Sequence, residues 1–201
     1  TLTLEVNRLA FQSKGSVTVT YGDTVVLGIA NVKDEVAEGF DYFPLSIDYE
    51  ERMYASGRIS GSRFQKREGR PTDEAILTGR LIDRPIRPLF PKGFRNEAQV
   101  VTTVLSLDPE LGAEVPAMIA ASAALMLTGA PFEGPVAGVR IGLIAGELIP
   151  YPAISLKNDS NLDLFVAGTE NAIMMVEAGA KQVPEEKMVE ALELAHASIQ
   201  P

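Results

Sequence analysis

Residues 114–127, EVPAMIAASAALML, read as a helix that is apolar nearly all the way round, and this constrains the fold more than any other stretch. A helix with no polar face has to be buried. Its longest apolar run, AMIAASAALML (Ala117 to Leu127), is too short to span a bilayer, so the cover must come from the rest of the chain. Gly129 and Pro131 supply the stop signal.

The cover is legible on both sides. Leu2 to Ala10, Ser16 to Thr20 and Thr24 to Ala30 read as three strands, the second by alternation of Val17 and Val19 with Ser16, Thr18 and Thr20, and Gly22-Asp23 makes a turn before TVVLGIA. Asp34 to Asp41 is acidic and reads as a loop. Phe43 to Tyr49 reads as a fourth strand with Pro44 near its start. Ala55 to Pro71 is a loop carrying Gly and Ser. Thr72 is then expected to cap a helix reaching about Arg84, with Asp73 and Glu74 in its first turn, and Pro85 is expected to end or kink it. A strand at Gln99 to Leu107 and a turn at Asp108-Pro109 precede the apolar helix. Hairpins follow at 136–149 and 163–177, and Glu185 to Ile199 forms a closing amphipathic helix. This order predicts an α+β fold with helices packed on a mixed sheet.

The chain has 201 residues, 46% hydrophobic and 22% charged, which suits one folded domain and excludes a disordered chain. It contains no cysteine, which rules out disulfides and thiolate metal sites, and a cytoplasmic location is the expectation.

Charge supplies the functional clue. The chain carries −9 overall, yet the window Arg58 to Arg95 holds ten Lys and Arg against four acids and is strongly basic. Arg forks pair bidentately with phosphate oxygens, and a surrounding acidic body repels non-specific polyanions. Arg80 and Arg84 share a helix face, and Arg87 extends the row if the helix continues. Upstream, Arg63, Phe64, Lys66, Arg67 and Arg70 combine loop cations with one aromatic ring, which suits single-stranded nucleic acid. The competing expectation is that these cations merely bridge to Glu68, Asp73, Glu74 and Asp83, with Phe64 anchoring the loop. No Gly-rich phosphate loop is present, which argues against a small-molecule kinase. His196 lacks a nucleophile in any recognisable setting and is expected at the surface.

The runs GSVTVTYGDTVVLGIA (Gly15 to Ala30), FPLSIDYEERMYASGRISG (Phe43 to Gly61), KREGRPTDEAILTGRLIDRPIRPLFPKGF (Lys66 to Phe94) and LDLFVAGTENAIMMVEAGA (Leu162 to Ala180) closely resemble the first ribonuclease-PH-like domain of bacterial polynucleotide phosphorylases. RLIDRPIRPLFP is a specific signature. The resemblance implies a ribonuclease-PH-like fold (the ribosomal-S5-domain-2-like superfold) over residues 1–201, with 184–201 leading toward a linker, a second PH-like domain and KH and OB-fold domains. It implies a processive 3′-to-5′ exoribonuclease that uses inorganic phosphate to release nucleoside diphosphates within a homotrimer, with RNA-degradation assemblies as further partners. It also implies that Arg63 to Arg67 line the channel entrance and that Arg70, Arg80, Arg84 and Arg87 lie on the RNA path. One departure is Gln65, where the family loop has a second aromatic or apolar residue.

The same resemblance places the catalytic chemistry, with its Mg2+ or Mn2+, in the second domain. Here the phosphate-binding turn falls on Gly112-Ala113-Glu114, where a carboxylate repels phosphate. The family's DMDFKVAG motif falls on NLDLFVAG, leaving Asp163 but placing Phe165 at the lysine position and Lys157 near that of the other essential aspartate. One carboxylate is a poor site for a divalent cation. The expectation is therefore a domain with no catalytic residues and no metal of its own. The alternative is a non-catalytic RNA-binding or ring-forming module of an exosome-like assembly.

Overall fold

The computed structural model describes residues 1–36, 39, 41–58 and 70–201. Its strands form two sheets. The first has the order β1 (Leu2–Val6), β2 (Gly15–Tyr21), β3 (Thr24–Val36), β5 (Asn96–Ser106), β4 (Leu45–Glu50), with β4 parallel to β5 and all other pairs antiparallel. The second is antiparallel throughout, in the order β7 (Glu147–Pro150), β6 (Ala137–Ile144), β8 (Leu162–Gly168), β9 (Ile173–Ala180). Helices α1 (Asp73–Ile86) and α2 (Glu114–Leu127) lie between the sheets, and α3 (Glu185–Ile199) covers the far face of the second.

Helix α2 is the apolar run read from the sequence, and it is buried from both sides. Toward the first sheet it presents alanines, which allow close approach. A Cβ on Gly28 of β3 would lie 2.6 Å from the Ala120 carbonyl oxygen, and one on Gly15 of β2 would lie 2.2 Å from that of Ala124. Glycine at these two positions is what lets the helix backbone rest on the sheet. Toward the second sheet, Met118 packs over Gly138 and beside Phe165, and the buried Ser122 hydroxyl accepts from the Val136 amide at 2.7 Å. Odd-numbered residues of β6 (Val139, Ile141, Leu143) turn the opposite way and meet Ala191, Ala195 and Ile199 of α3.

Three local expectations change. Strand β1 stops at Val6, because Asn7 and Ala10 take positive φ (52° and 55°). Strand β3 continues to Val36, into the start of the segment expected to be acidic loop: Val32 is buried opposite Ala98, the Asn96 amide donates to the carbonyls of Lys33 and Asp34, and Lys33 pairs with Glu97 at 2.5 Å. Pro85 does not end α1. The Arg87 amide still donates to the Asp83 carbonyl, and one tight turn at Arg87–Leu89 follows. The cap is as expected, the Thr72 hydroxyl accepting from the Ala75 amide at 3.0 Å.

Candidate nucleic-acid interface

Among the described residues, the sequence-nominated cations divide by environment. Arg70 precedes α1 and is exposed, with no ion pair among the described residues. Arg80 and Arg84, one turn apart on α1, are exposed on a helix whose opposite side buries Ala75, Gly79, Leu81, Ile82 and Ile86. Arg80 has no ion-pair partner among the described residues, and Arg84 meets Glu177 of β9 only at 3.6 Å, both side chains being more than half exposed. Such a pair contributes little and yields readily to a phosphate. Arg63, Phe64, Lys66 and Arg67 lie outside the described residues.

Arg87 departs from the expected cationic row. Its Nε and Nη2 donate to Asp83 at 2.9 and 2.7 Å, and Nη1 and Nη2 reach the carbonyls of Phe43 and Leu45 at 3.1 and 3.0 Å. This guanidinium ties the end of α1 to the start of β4. Arg80 and Arg84 are therefore the loosely held cations of the helix, while Arg87, its side chain 41% exposed, is also engaged in holding that helix in place.

A second charged group lies where α2 begins. Arg140 of β6 donates through Nη1 to Asp163 and sits 3.1 Å through Nη2 from Glu114, while Lys157 reaches the other Asp163 oxygen at 3.1 Å. The Arg140 guanidinium lies over the Phe165 ring, 5.7 Å from its centre. The Glu114 carboxylate also accepts from the Ala113 amide at 3.1 Å, so the α2 N-terminus, with its free amides and positive dipole end, already holds an anion from its own chain. Asp163 is shared between two cations, and among the described residues no group of three His, Cys, Asp or Glu side chains converges. This donor set does not fit a divalent cation. Sequence reasoning found Glu114, Lys157, Asp163 and Phe165 but missed Arg140. A single arginine inside the apolar strand AGVRIGLI was the available signal, since a cation there needs buried partners.

His196 is half-buried, only partly exposed at the surface, with Nε2 3.3 Å from the Thr169 carbonyl oxygen. Among the described residues no helix is long and apolar enough to cross a membrane.

With that geometry in view, the sequence matches the profile of the 3′ exoribonuclease family, domain 1, over residues 1–131, and that of the same family's domain 2 over residues 134–198. The chain belongs to the 3′ exoribonuclease family. Among curated relatives it is 56% identical over 200 residues to the polyribonucleotide nucleotidyltransferase of Heliobacterium modesticaldum, covering all of this chain and 28% of that protein. It is 53% identical over 199 residues to that of Staphylococcus saprophyticus (99% of this chain, 28% of the relative) and 54% identical over 198 residues to that of Moorella thermoacetica (98% and 26%). The chain thus spans little more than a quarter of the length of these relatives, matching their N-terminal part. The two sheets with interleaved helices are the α+β architecture of this family, as the sequence resemblance implied.

Proposed function

We propose that this chain is the RNA-guiding part of a phosphate-dependent 3′-to-5′ exoribonuclease acting in the cytoplasm, in which single-stranded RNA follows the cations of the Arg58 to Arg95 window toward a phosphorolytic site outside these 201 residues. In this reading inorganic phosphate is the co-substrate, nucleoside diphosphates are the products, the assembly is a homotrimer, and Mg2+ or Mn2+ is held by other domains. The observation that carries it is the contrast between exposed Arg70, Arg80 and Arg84 and the internally neutralised Glu114, Arg140, Lys157 and Asp163. The first group is available to phosphates of an RNA strand. In the second, a carboxylate occupies the helix N-terminus and the remaining cations already have partners.

Two measurements test this reading. The 201-residue chain given RNA, phosphate and magnesium is expected to release no nucleoside diphosphate; steady release above a heat-treated control overturns the placement of the chemistry. Replacing Lys66 and Arg67 together with alanine is expected to weaken binding to single-stranded RNA of any sequence and to flatten its salt dependence, the slope falling by about 0.7 for each phosphate that is no longer neutralised. Unchanged affinity at low salt removes the loop from the RNA path.

A further inference from the structure

A cavity of about 440 Å³ opens beside the basic window, bounded by the end of β4, the tight turn Met53–Ser56, the first turn of α1 and the end of β5. Its volume is within the roughly 300–1,000 Å³ of sites that enclose small ligands. The floor is apolar, made by Met53, Ala55, Ala75, Val104 and Leu107. The rim carries Arg58 and Arg70, both exposed, and neither side chain is hydrogen-bonded or ion-paired among the described residues. The wall offers groups of complementary kind. Tyr49 is 8% exposed, and its hydroxyl has no hydrogen-bond partner among the described residues. Glu51 has one carboxylate oxygen occupied by the Thr72 hydroxyl at 3.0 Å. Burial first, and then the charges of Glu51 and Glu114, push the Tyr49 phenol above its ordinary range, so it remains a neutral donor at physiological pH.

We propose that this cavity binds one nucleotide, with its base on the floor formed by Met53, Ala55 and Leu107, its polar edge toward Tyr49 and Glu51, and its phosphate on Arg58 and Arg70. The combination is specific in kind: an apolar floor with a donor and an acceptor in the wall suits a base, and a pair of unengaged guanidinium groups at the mouth suits a phosphate. The cavity is distinct from the exposed face of α1 bearing Arg80 and Arg84, and it does not include the Glu114 cluster. Two sources supply a nucleotide of this chemistry, a unit of the RNA strand and a free nucleoside diphosphate. The inference rests on the RNA-guiding reading for the identity of the ligand, but not for the site.

The test is photo-crosslinking on the full-length protein, with the labelled peptide located by mass spectrometry. One arm uses 8-azido-ADP, the other a single-stranded oligonucleotide carrying 4-thiouridine. Label in the peptides containing Tyr49 to Arg58 or Val104 to Leu107 supports the proposal. Label from the first arm that unlabelled ADP displaces identifies a free nucleotide, and label from the second arm alone identifies an RNA unit. Ala55→Phe, which fills the floor without changing charge, is expected to reduce this label at least about tenfold, and Arg58→Ala to reduce it by a similar factor through loss of a charge-assisted hydrogen bond. Arg58 is an exposed side chain, so its variant keeps the test valid even where the filled cavity disturbs folding. Absence of label from these peptides in both arms, or label unchanged in both variants, overturns the proposal. RNA affinity measured in parallel on Arg80→Ala/Arg84→Ala separates failure of this site from failure of the RNA path.

Discussion

The exposed face of α1 and the start of α2 both gather charge, and they handle it in opposite ways. On α1 the cations outnumber their partners: Arg80 has none among the described residues and Arg84 has a loose one. At α2, two carboxylates and two cations close on one another, with side chains only about a quarter to a third exposed except Lys157. The difference lies in burial. Exposed arginine keeps its hydration until a phosphate arrives, whereas a half-buried carboxylate has to be paired within the fold. A surface becomes available to a polyanion where the chain leaves charge unmatched, not where charge is merely abundant.

Substitutions can break this comparison. The largest effect is expected from Arg140→Ala, which leaves Glu114 and Asp163 partly buried without their shared partner. Partial exposure discounts the full penalty, giving a loss of about 2–3 kcal/mol in urea unfolding, with no change in the salt dependence of RNA binding. A stability loss below that of an ordinary surface change would mean the cluster is not held together as described. Next is Arg80→Ala/Arg84→Ala. Its RNA affinity is expected to fall about tenfold near 0.1 M salt with the slope reduced by about 1.4, while unfolding shifts by less than about 0.5 kcal/mol. Fluorescence polarisation over a salt series reads this directly.

Tyr49 sharpens the same contrast, because charges of both Glu51 and Glu114 act on it. Its folded pKa is raised above the unfolded value near 10, so its contribution is fully present below pH 10 and is lost as pH rises further. Tyr49→Phe is expected to make the alkaline decline shallower, by at most about 1.4 kcal/mol per pH unit, in unfolding midpoints taken from pH 8 to 11. The half-buried phenol of Tyr151, also raised mainly by burial, remains in both proteins. The smallest effect belongs to Glu177→Ala, under about 0.5 kcal/mol in stability, with RNA binding retained or slightly tightened as Arg84 is released. A large loss would show that this exposed pair is structural.

Much of this was legible in the sequence for identifiable reasons. The buried helix announced itself because an apolar periphery has one solution, and the α1 cap because Thr72, Asp73 and Glu74 are the groups that free amides require. The extension of β3 was hidden, since it depends on Asn96 and Glu97, which lie far along the chain from Lys33 and Asp34 and neutralise a local preference for loop. The internal partners of Arg87 were hidden because spacing reports which side of a helix a residue occupies but not which carbonyls come within reach of it. Arg140 and the cavity beside Tyr49 are products of strands brought together from distant segments, and no local pattern encodes them.

The placement of α2 also bears on how the two family-matched segments depend on each other. Its residues belong to the first segment, yet Met118 rests on Gly138 and Phe165 of the second, and one continuous cluster of buried side chains takes in Phe165, Ala167 and Met175 along with the interior of the first sheet. Cleaving the chain between residues 131 and 134 would leave the first half with an uncovered oily flank on α2 and the second with the matching hollow. The two pieces are therefore expected to precipitate when produced separately and to recover order when mixed.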